Sequence, residues 1–312
     1  MSEFPVPETK RAMIAKQRQE NIKMGTIQDY KCTYDNGADT SRELALSLAL
    51  EFPDAYRHAD TMAVLAKAVK ERTGAGFCVL PFCHTVEGEA MGGIVNPGDE
   101  KAGPRAKEYI TDKMEDILGL PEIDFSVGRV REVLLACQKL RKEGEQVALM
   151  VSGPFTVLNV LIDARYVFRV MRKDRELARK VMWKIGKETL RYIERAQEYG
   201  VRMISYADSS GGLNILGPKL TKQVTEDFTY EYLKKMKRRT SGKSLLMLCP
   251  KTTYALLGTE YAEFREYSLS GPMSYGEGCV EAIGKIDIVG QTCMKNAGLK
   301  LKNGKIKEVV LK

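Results

Sequence analysis

Short apolar runs alternate along this chain with longer stretches in which apolar residues recur every three or four positions. Phe77-Cys-Val-Leu-Pro-Phe82 shows no polar alternation, the pattern of a strand buried on both faces, as in a parallel sheet. Gln146-Val-Ala-Leu-Met-Val-Ser152, Val201-Arg-Met-Ile-Ser-Tyr206, Ser244-Leu-Leu-Met-Leu-Cys249 and Ile286-Asp-Ile-Val-Gly-Gln-Thr-Cys293 also read as strands, with another near Phe264–Ser268. Helices are predicted from Thr40 to about Arg72, over Val127–Glu143, Asp174–Tyr199 and about Leu220–Arg239, around Thr252–Leu257, and over Ser274–Ile283. A polar stretch, helical from about Glu8, forms an outer layer ahead of them.

Helix and strand alternate through short connections, which indicates a parallel sheet with helices outside. Six or seven such units can be read directly, and extrapolation to eight gives the expected fold: an α/β chain forming a (β/α)8 TIM barrel. Its parts are a helical N-terminal layer over 1–72, a barrel core over 73–295 and a terminal β-hairpin over 296–312, all in one domain. The hairpin expectation rests on Asn303-Gly304, a type I′ turn signal between Leu299 and Val310. No G-x-G-x-x-G or P-loop follows any strand, which argues against dinucleotide binding.

Composition narrows the class. Apolar residues make up 44% of the 312 and charged ones 29%, as in a soluble globular protein with a sizeable core. No run approaches the roughly 20 apolar residues of a membrane span, and Met1-Ser-Glu-Phe-Pro is not a signal peptide. Seven scattered cysteines fit no disulfide framework and suit a reducing compartment, so a cytoplasmic location is expected. The net charge is +8, but Lys234-Lys-Met-Lys-Arg-Arg239 is the only dense basic patch, without interleaved aromatics. It reads as a solvated helix end or a docking surface for an acidic partner or substrate, and not as a nucleic-acid stripe.

Chemistry concentrates at four strand-to-helix turns. Pro81-Phe-Cys-His-Thr-Val-Glu-Gly-Glu89 carries His84, Glu87 and Glu89. Glu87 is the better candidate to face the barrel mouth, Glu89 reads as a solvated helix residue, and His84 either contacts a substrate or satisfies loop backbone. In Ser152-Gly-Pro-Phe-Thr156 the glycine permits close approach of a ligand or serves a structural turn. Ser205-Tyr-Ala-Asp-Ser-Ser-Gly-Gly-Leu-Asn214 offers Asp208 as hydrogen-bond acceptor, metal ligand or helix cap. Tyr206 would point into the mouth or the barrel interior, and the Gly-Gly pair suggests that something sits close by. Cys249 and Cys293 end their strands beside turn residues, and two thiolates at one mouth suit zinc; the alternative is that both are small core residues. Cys32, Cys78, Cys137 and Cys279 read as core, and Cys83 as either.

Four segments in order, Pro81-Phe-Cys-His-Thr-Val-Glu-Gly-Glu-Ala-Met-Gly, Gly153-Pro-Phe-Thr156, Ala196-Gln-Glu-Tyr-Gly-Val-Arg-Met-Ile-Ser-Tyr-Ala-Asp208 and Gly217-Pro218, resemble the uroporphyrinogen decarboxylase superfamily over roughly 60–295. Within it the chain is similar to the corrinoid-dependent methyltransferases. The arginine-rich segment with which true decarboxylases hold substrate carboxylates is missing; Lys16-Gln-Arg-Gln-Glu20 does not match it. The resemblance implies a (β/α)8 barrel and zinc on Cys249 and Cys293, the counterparts of the cysteines of an H-x-C motif and its distant partner. Met247 stands where that motif has histidine, which leaves the third ligand to Asp208, Glu87 or His84.

The activity this implies is methyl transfer from a donor, such as a methoxylated aromatic in O-demethylation, to the cobalt(I) of a corrinoid (cobalamin) on a partner protein. Glu87 and Asp208 would complete the metal shell or hold the substrate, with His84, Tyr206 and Asn214 lining the pocket. The alternatives are transfer from a methylated corrinoid to a thiol or other acceptor, a decarboxylase-like lyase, and a non-catalytic corrinoid- or tetrapyrrole-binding barrel. No nucleic-acid or membrane partner is expected, and a homodimer is left open.

Overall fold

The computed structural model describes residues 27, 30, 42–99 and 102–312. The helix expected from Glu8, the Lys16–Glu20 stretch and Cys32 lie outside these residues. The strands are β1 (Cys78–Leu80), β2 (Ile94–Asn96), β3 (Arg105–Glu108), β4 (Val147–Ser152), β5 (Met203–Ala207), β6 (Leu245–Leu248), β7 (Ala262–Ser268), β8 (Met273–Ser274), β9 (Ile288–Val289), β10 (Lys300–Leu301) and β11 (Lys305–Leu311). Seven of them form one sheet in the order β1-β4-β5-β6-β9-β11-β7, with β2–β3 and β8–β10 as separate two-stranded ribbons.

The first five strands of that order are parallel, as their apolar runs and intervening helices predict. Helices Gly128–Lys142, Arg175–Glu198 and Pro250–Gly258 fall close to their predicted positions. The stretch expected as one helix over Leu220–Arg239 begins earlier. Leu213–Val224 is broken at Gly217 (φ 70°) and Pro218, then continues through a π turn into Tyr230–Thr240. Thr40–Arg72 likewise divides, into Arg42–Ser47, a short turn at Asp54–Tyr56 and Ala59–Thr73, with Pro53 at the break. The basic patch at Lys234–Arg239 ends its helix in ion pairs, Lys237 with Asp287 (3.1 Å) and Arg239 with Glu194 (2.5 Å), as expected of a solvated helix end.

Successive strand residues pack on opposite sides of the sheet. Val147, Leu149 and Val151 join the larger core with Ile204, Tyr206, Leu246 and Leu248 under the long helices. Ala148, Met203, Leu245, Met247 and Val289 face a second core with Tyr275, Cys279 and Ala282 of helix Tyr275–Ala282.

Two expectations are met only in part. The fold is α/β with a central parallel sheet, and among the described residues the sheet order starts at β1 and ends at β7 without a pairing that closes it. β11 runs antiparallel to β7 over seven residue pairs and to β9 through Glu308 and Val289. The terminal hairpin is also replaced. Gly304 makes the expected tight turn (φ 61°, N–H to Leu301 O 3.0 Å), but its flanks part company, β10 pairing with β8 and β11 entering the main sheet. A seven-residue ladder satisfies far more backbone polar groups than β10, two residues long, could offer.

Candidate active site at the strand ends

The parallel register sets the site. Met150, Ser205, Met247 and Val289 lie side by side across β4, β5, β6 and β9. Two residues further on, at the strand ends, come Ser152 beside Ala207, then Cys249, whose N–H donates to Tyr206 O (2.9 Å), then Gln291. Ends of parallel strands are where α/β proteins build their sites, because side chains from several units converge there on variable loops.

Cys249 is half-buried and caps helix Pro250–Gly258, its carbonyl accepting from Thr252 N (2.9 Å) and Thr253 N (3.1 Å). Cys293, also half-buried, opens the single turn Met294–Asn296, and Asn296 N donates to its carbonyl (2.9 Å). Their strands β6 and β9 are neighbours, and both cysteines are thiols. The expected core residues Cys78, Cys137 and Cys279 are buried. Met247 is 2% exposed inside the second core, so the site where an imidazole was sought is filled by a thioether packed on apolar side chains.

Across the row, Glu87 is 2% exposed and accepts from Ser152 N–H (2.7 Å). Burial raises its carboxyl above the ordinary range, outweighing that hydrogen bond. Ser152 Oγ lies 3.5 Å from His84 Nδ1. Burial, reinforced by the Lys295 ammonium, pushes His84 down to about 4, so the imidazole is neutral near pH 7. Lys295 stands two residues after Cys293, so its field on His84 links the β1 turn to the β9 turn. Ser152 and Lys295 were not singled out from the sequence; only the position of Ser152 at a strand end could have drawn attention to it.

Asp208 has another task. Its Oδ1 accepts from Thr156 N (2.8 Å) and Thr156 Oγ1 (3.0 Å), and Oδ2 from Phe155 N (3.3 Å), so it caps helix Pro154–Leu161 of the preceding unit. Burial raises it to about 6 against these hydrogen bonds. The close approach expected at Gly153 is made by this carboxylate: a Cβ there would lie 2.4 Å from both Asp208 Cβ and Cγ. At Gly211 and Gly212 the close neighbours expected of the Gly-Gly pair are protein side chains, Phe155 (2.6 Å) and Lys251 (2.8 Å).

Tyr206 is 1% exposed and packs against Tyr232 (centroids 5.7 Å apart) on the outer side of the sheet, opposite Met247. Asn214 is exposed and accepts from Lys251 Nζ (3.2 Å). With Asp208 and Lys251, Tyr206 lines only a void of about 30 Å³. The structure therefore brings together His84, Glu87 and Ser152, places Cys249 and Cys293 after the neighbouring strands β6 and β9, and leaves Asp208, Tyr206 and Asn214 to one side.

Glu89 keeps 38% of its side chain exposed, as expected of a helix residue facing solvent, and has a task besides. It pairs with Arg129, whose side chain is 7% exposed and also reaches Cys83 Sγ (2.9 Å) and Thr85 Oγ1 (2.6 Å). This cluster clamps the β1 turn to helix Gly128–Lys142 and leaves Cys83 buried, with no sequence signal that Arg129 would take part.

The donor chemistry at Cys249 and Cys293 suits zinc, but the number of donors falls short. Catalytic zinc takes three protein ligands. Among the described residues no cluster of three or more His, Cys, Asp or Glu is placed to hold a metal ion. Asp208 and Glu87, two of the sequence candidates for the third ligand, are engaged with backbone N–H groups.

The family described as uroporphyrinogen decarboxylase (URO-D) matches residues 37–269. Similar curated proteins include a methylcobamide:CoM methyltransferase of Methanosarcina barkeri, 27% identical over 69% of this chain and 63% of its own length. Another, of Methanosarcina acetivorans, is 25% identical over 66% of this chain and 61% of its own. A uroporphyrinogen decarboxylase of Myxococcus xanthus is 25% identical over 60% and 53%. The matched region thus spans somewhat under two thirds of these relatives. Among solved structures, a methyltransferase from Methanosarcina mazei shares the fold, with a TM-score of 0.60 and 23% identity over 70% of this chain and 66% of that one. No helix among the described residues is long and apolar enough to cross a membrane.

Proposed function

Because the chain belongs to the uroporphyrinogen decarboxylase family, we propose that it is a corrinoid-dependent methyltransferase working at the rim formed by His84, Glu87, Ser152, Cys249 and Cys293. The observation that carries this reading is the pair of half-buried thiols that follow neighbouring parallel strands, Cys249 directly after β6 and Cys293 four residues after β9, in a chain whose relatives include methylcobamide:CoM methyltransferases. A lyase acting on a porphyrinogen would have no use for that pair, and the decarboxylases' arginine-rich segment is absent.

The direction proposed is from a small methyl donor, a methoxylated aromatic being the class favoured, to the cobalt(I) of a corrinoid carried by a second protein. The methyl carbon leaves its heteroatom, which keeps the bonding electron pair, and the cobalt(I) pair forms the new bond. Zinc bound by the Cys249 and Cys293 thiolates would supply Lewis-acid polarisation of that heteroatom.

His84, neutral at working pH, orients the donor through a ring nitrogen without adding a positive charge that would hold the product anion. Glu87, whose carboxyl burial raises above the ordinary range, accepts from the Ser152 backbone and so fixes the end of β4. Asp208 acts at one remove, holding the Gly153–Thr156 turn in place.

A second reading, transfer from a methylated corrinoid to a thiol, is favoured by the names of the relatives. Met247 in place of the motif's histidine argues against that acceptor chemistry being carried over unchanged. Both readings meet one test: the purified chain is incubated either with cob(I)alamin and methoxybenzoates or with methylcobalamin and thiols. Methylcobalamin formed in the first mixture is the expected result. Consumption of methylcobalamin in the second alone would reverse the direction, and silence in both would end the methyltransferase reading.

A further inference from the structure

Beside the proposed site lies a cleft of about 410 Å³ lined by Lys300, Lys302, Lys305 and Lys307 with Glu266, Gln291, Leu301 and Asn303. Its position follows from strand register. β11 is antiparallel to β9 with Glu308 opposite Val289, so Lys307 and Lys305 extend past the end of β9, level with the segment from Gln291 to Cys293. The backbone confirms this level, since Lys307 N–H donates to the Gln291 side chain (2.5 Å). A strand advances about 3.3 Å per residue, so these lysines stand within a few residues' span of the thiol rim.

Alternation along β11 buries Ile306 and leaves Lys305 and Lys307 exposed on one face, and Lys300 and Lys302 flank buried Leu301 in the same way. Lys305 pairs with Glu266 (2.7 Å) and Lys307 lies over the Phe264 ring (5.3 Å to its centroid). Four cations face one carboxylate in the cleft lining.

We propose that this cleft is the docking surface for an acidic face of the protein that carries the corrinoid. The inference rests on the methyl-transfer reading above and names where that partner sits. Exposed lysines on a wide cleft hold a small anion weakly, because water and salt screen each exposed ion pair. An extended acidic surface engages several at once and gains in association rate from their summed field. Docking beside the Gln291–Cys293 segment lets the partner present its corrinoid at the rim where methyl would be transferred.

The test compares the wild type with a Lys300→Glu/Lys302→Glu variant, using two cobalt sources. One is free cob(I)alamin; the other is a purified cobalamin-loaded carrier protein from a methylcobamide:CoM methyltransferase system. The expected result with the carrier is a loss of about tenfold or more in kcat/KM at low salt, with the steep salt dependence of the wild type flattened. Turnover with free cob(I)alamin stays at the wild-type rate.

An unchanged kcat/KM and salt dependence with the carrier, while the wild type works with both sources, would overturn the docking surface alone. Equal losses with both sources would also overturn it, since the lysines would then act on something other than docking. A wild type inactive with both sources would overturn the methyl-transfer reading, and the docking proposal with it.

Discussion

The Gly153→Ala substitution tests the local architecture most directly. Gly153 has an ordinary φ of −77°, so alanine imposes no backbone strain there. The added Cβ would lie 2.4 Å from Asp208 Cβ and Cγ and 2.6 Å from the Tyr206 hydroxyl. Ordinary carbon contacts lie near 3.5–4.0 Å, so Asp208 must retreat by roughly 1 Å, and its hydrogen bonds to Thr156 N (2.8 Å) and Oγ1 (3.0 Å) cannot survive that. Overpacking costs about 1–3 kcal/mol, loss of a helix cap about 1 kcal/mol, and an unpaired buried polar group about 1–3 kcal/mol. These terms overlap, so the expected destabilisation is about 2–4 kcal/mol, a large part of the roughly 5–15 kcal/mol of a typical domain.

Urea unfolding followed by the fluorescence of Trp183 measures it, since this is the chain's only tryptophan and packs edge-on against Phe228. In an Asp208→Gly background the clashing atoms of residue 208 are gone, and the cost of Gly153→Ala should fall by at least about 1 kcal/mol. A cost below about 0.5 kcal/mol, or one equal in both backgrounds, would refute the reasoning.

Three further outcomes follow from the site. Glu87→Gln keeps an oxygen that can accept from Ser152 N–H and should cost under about 1 kcal/mol, whereas Glu87→Ala leaves that buried N–H unpaired and should cost about 2 kcal/mol or more; equal costs in the urea series would mean that this hydrogen bond does not hold the turn. His84 should titrate near pH 4 by NMR, against an ordinary 6.5. The unfolded chain then takes up the proton first, so this residue's contribution to stability is intact above pH 6.5 and is lost as pH falls towards 4; a midpoint above 6, or an acid limb unchanged in His84→Asn, would contradict the burial argument. Purified protein offered zinc should retain about one ion per chain, readily removed by chelators and lost in both Cys249→Ser and Cys293→Ser; a wild type that takes up none would return the two thiols to a packing role.

Much of the element order was legible in the sequence because it rests on local periodicity. The run ending at Ser152 has to be a buried strand, and the amphipathic stretch after Asp174 has to be a helix, whatever surrounds them. Cys249 could be found for the same reason, since a strand end is visible where apolar residues give way to Pro250; β9 ends before Gly290 and Gln291, and Cys293, expected at its end, follows it by four residues. The expected breadth of the site was less secure. Asp208 and Tyr206 share one short segment, yet the first caps a helix of the preceding unit and the second packs into the outer core.

Sequence by itself determined the main parallel strands and the long helices between them, because hydrophobic spacing and turn residues act over a few positions. Tertiary structure alone decided which way each strand residue faces. A strand apolar on both sides has no amphipathic face to set its parity, so Tyr206 and Met247 were assigned to their sides by packing. It also decided how the sheet ends. The tail after Asn303-Gly304 could pair locally or insert between β9 and β7, and only the long ladder offered by Ala262–Ser268, with burial of Ile306 and Val309, selects insertion.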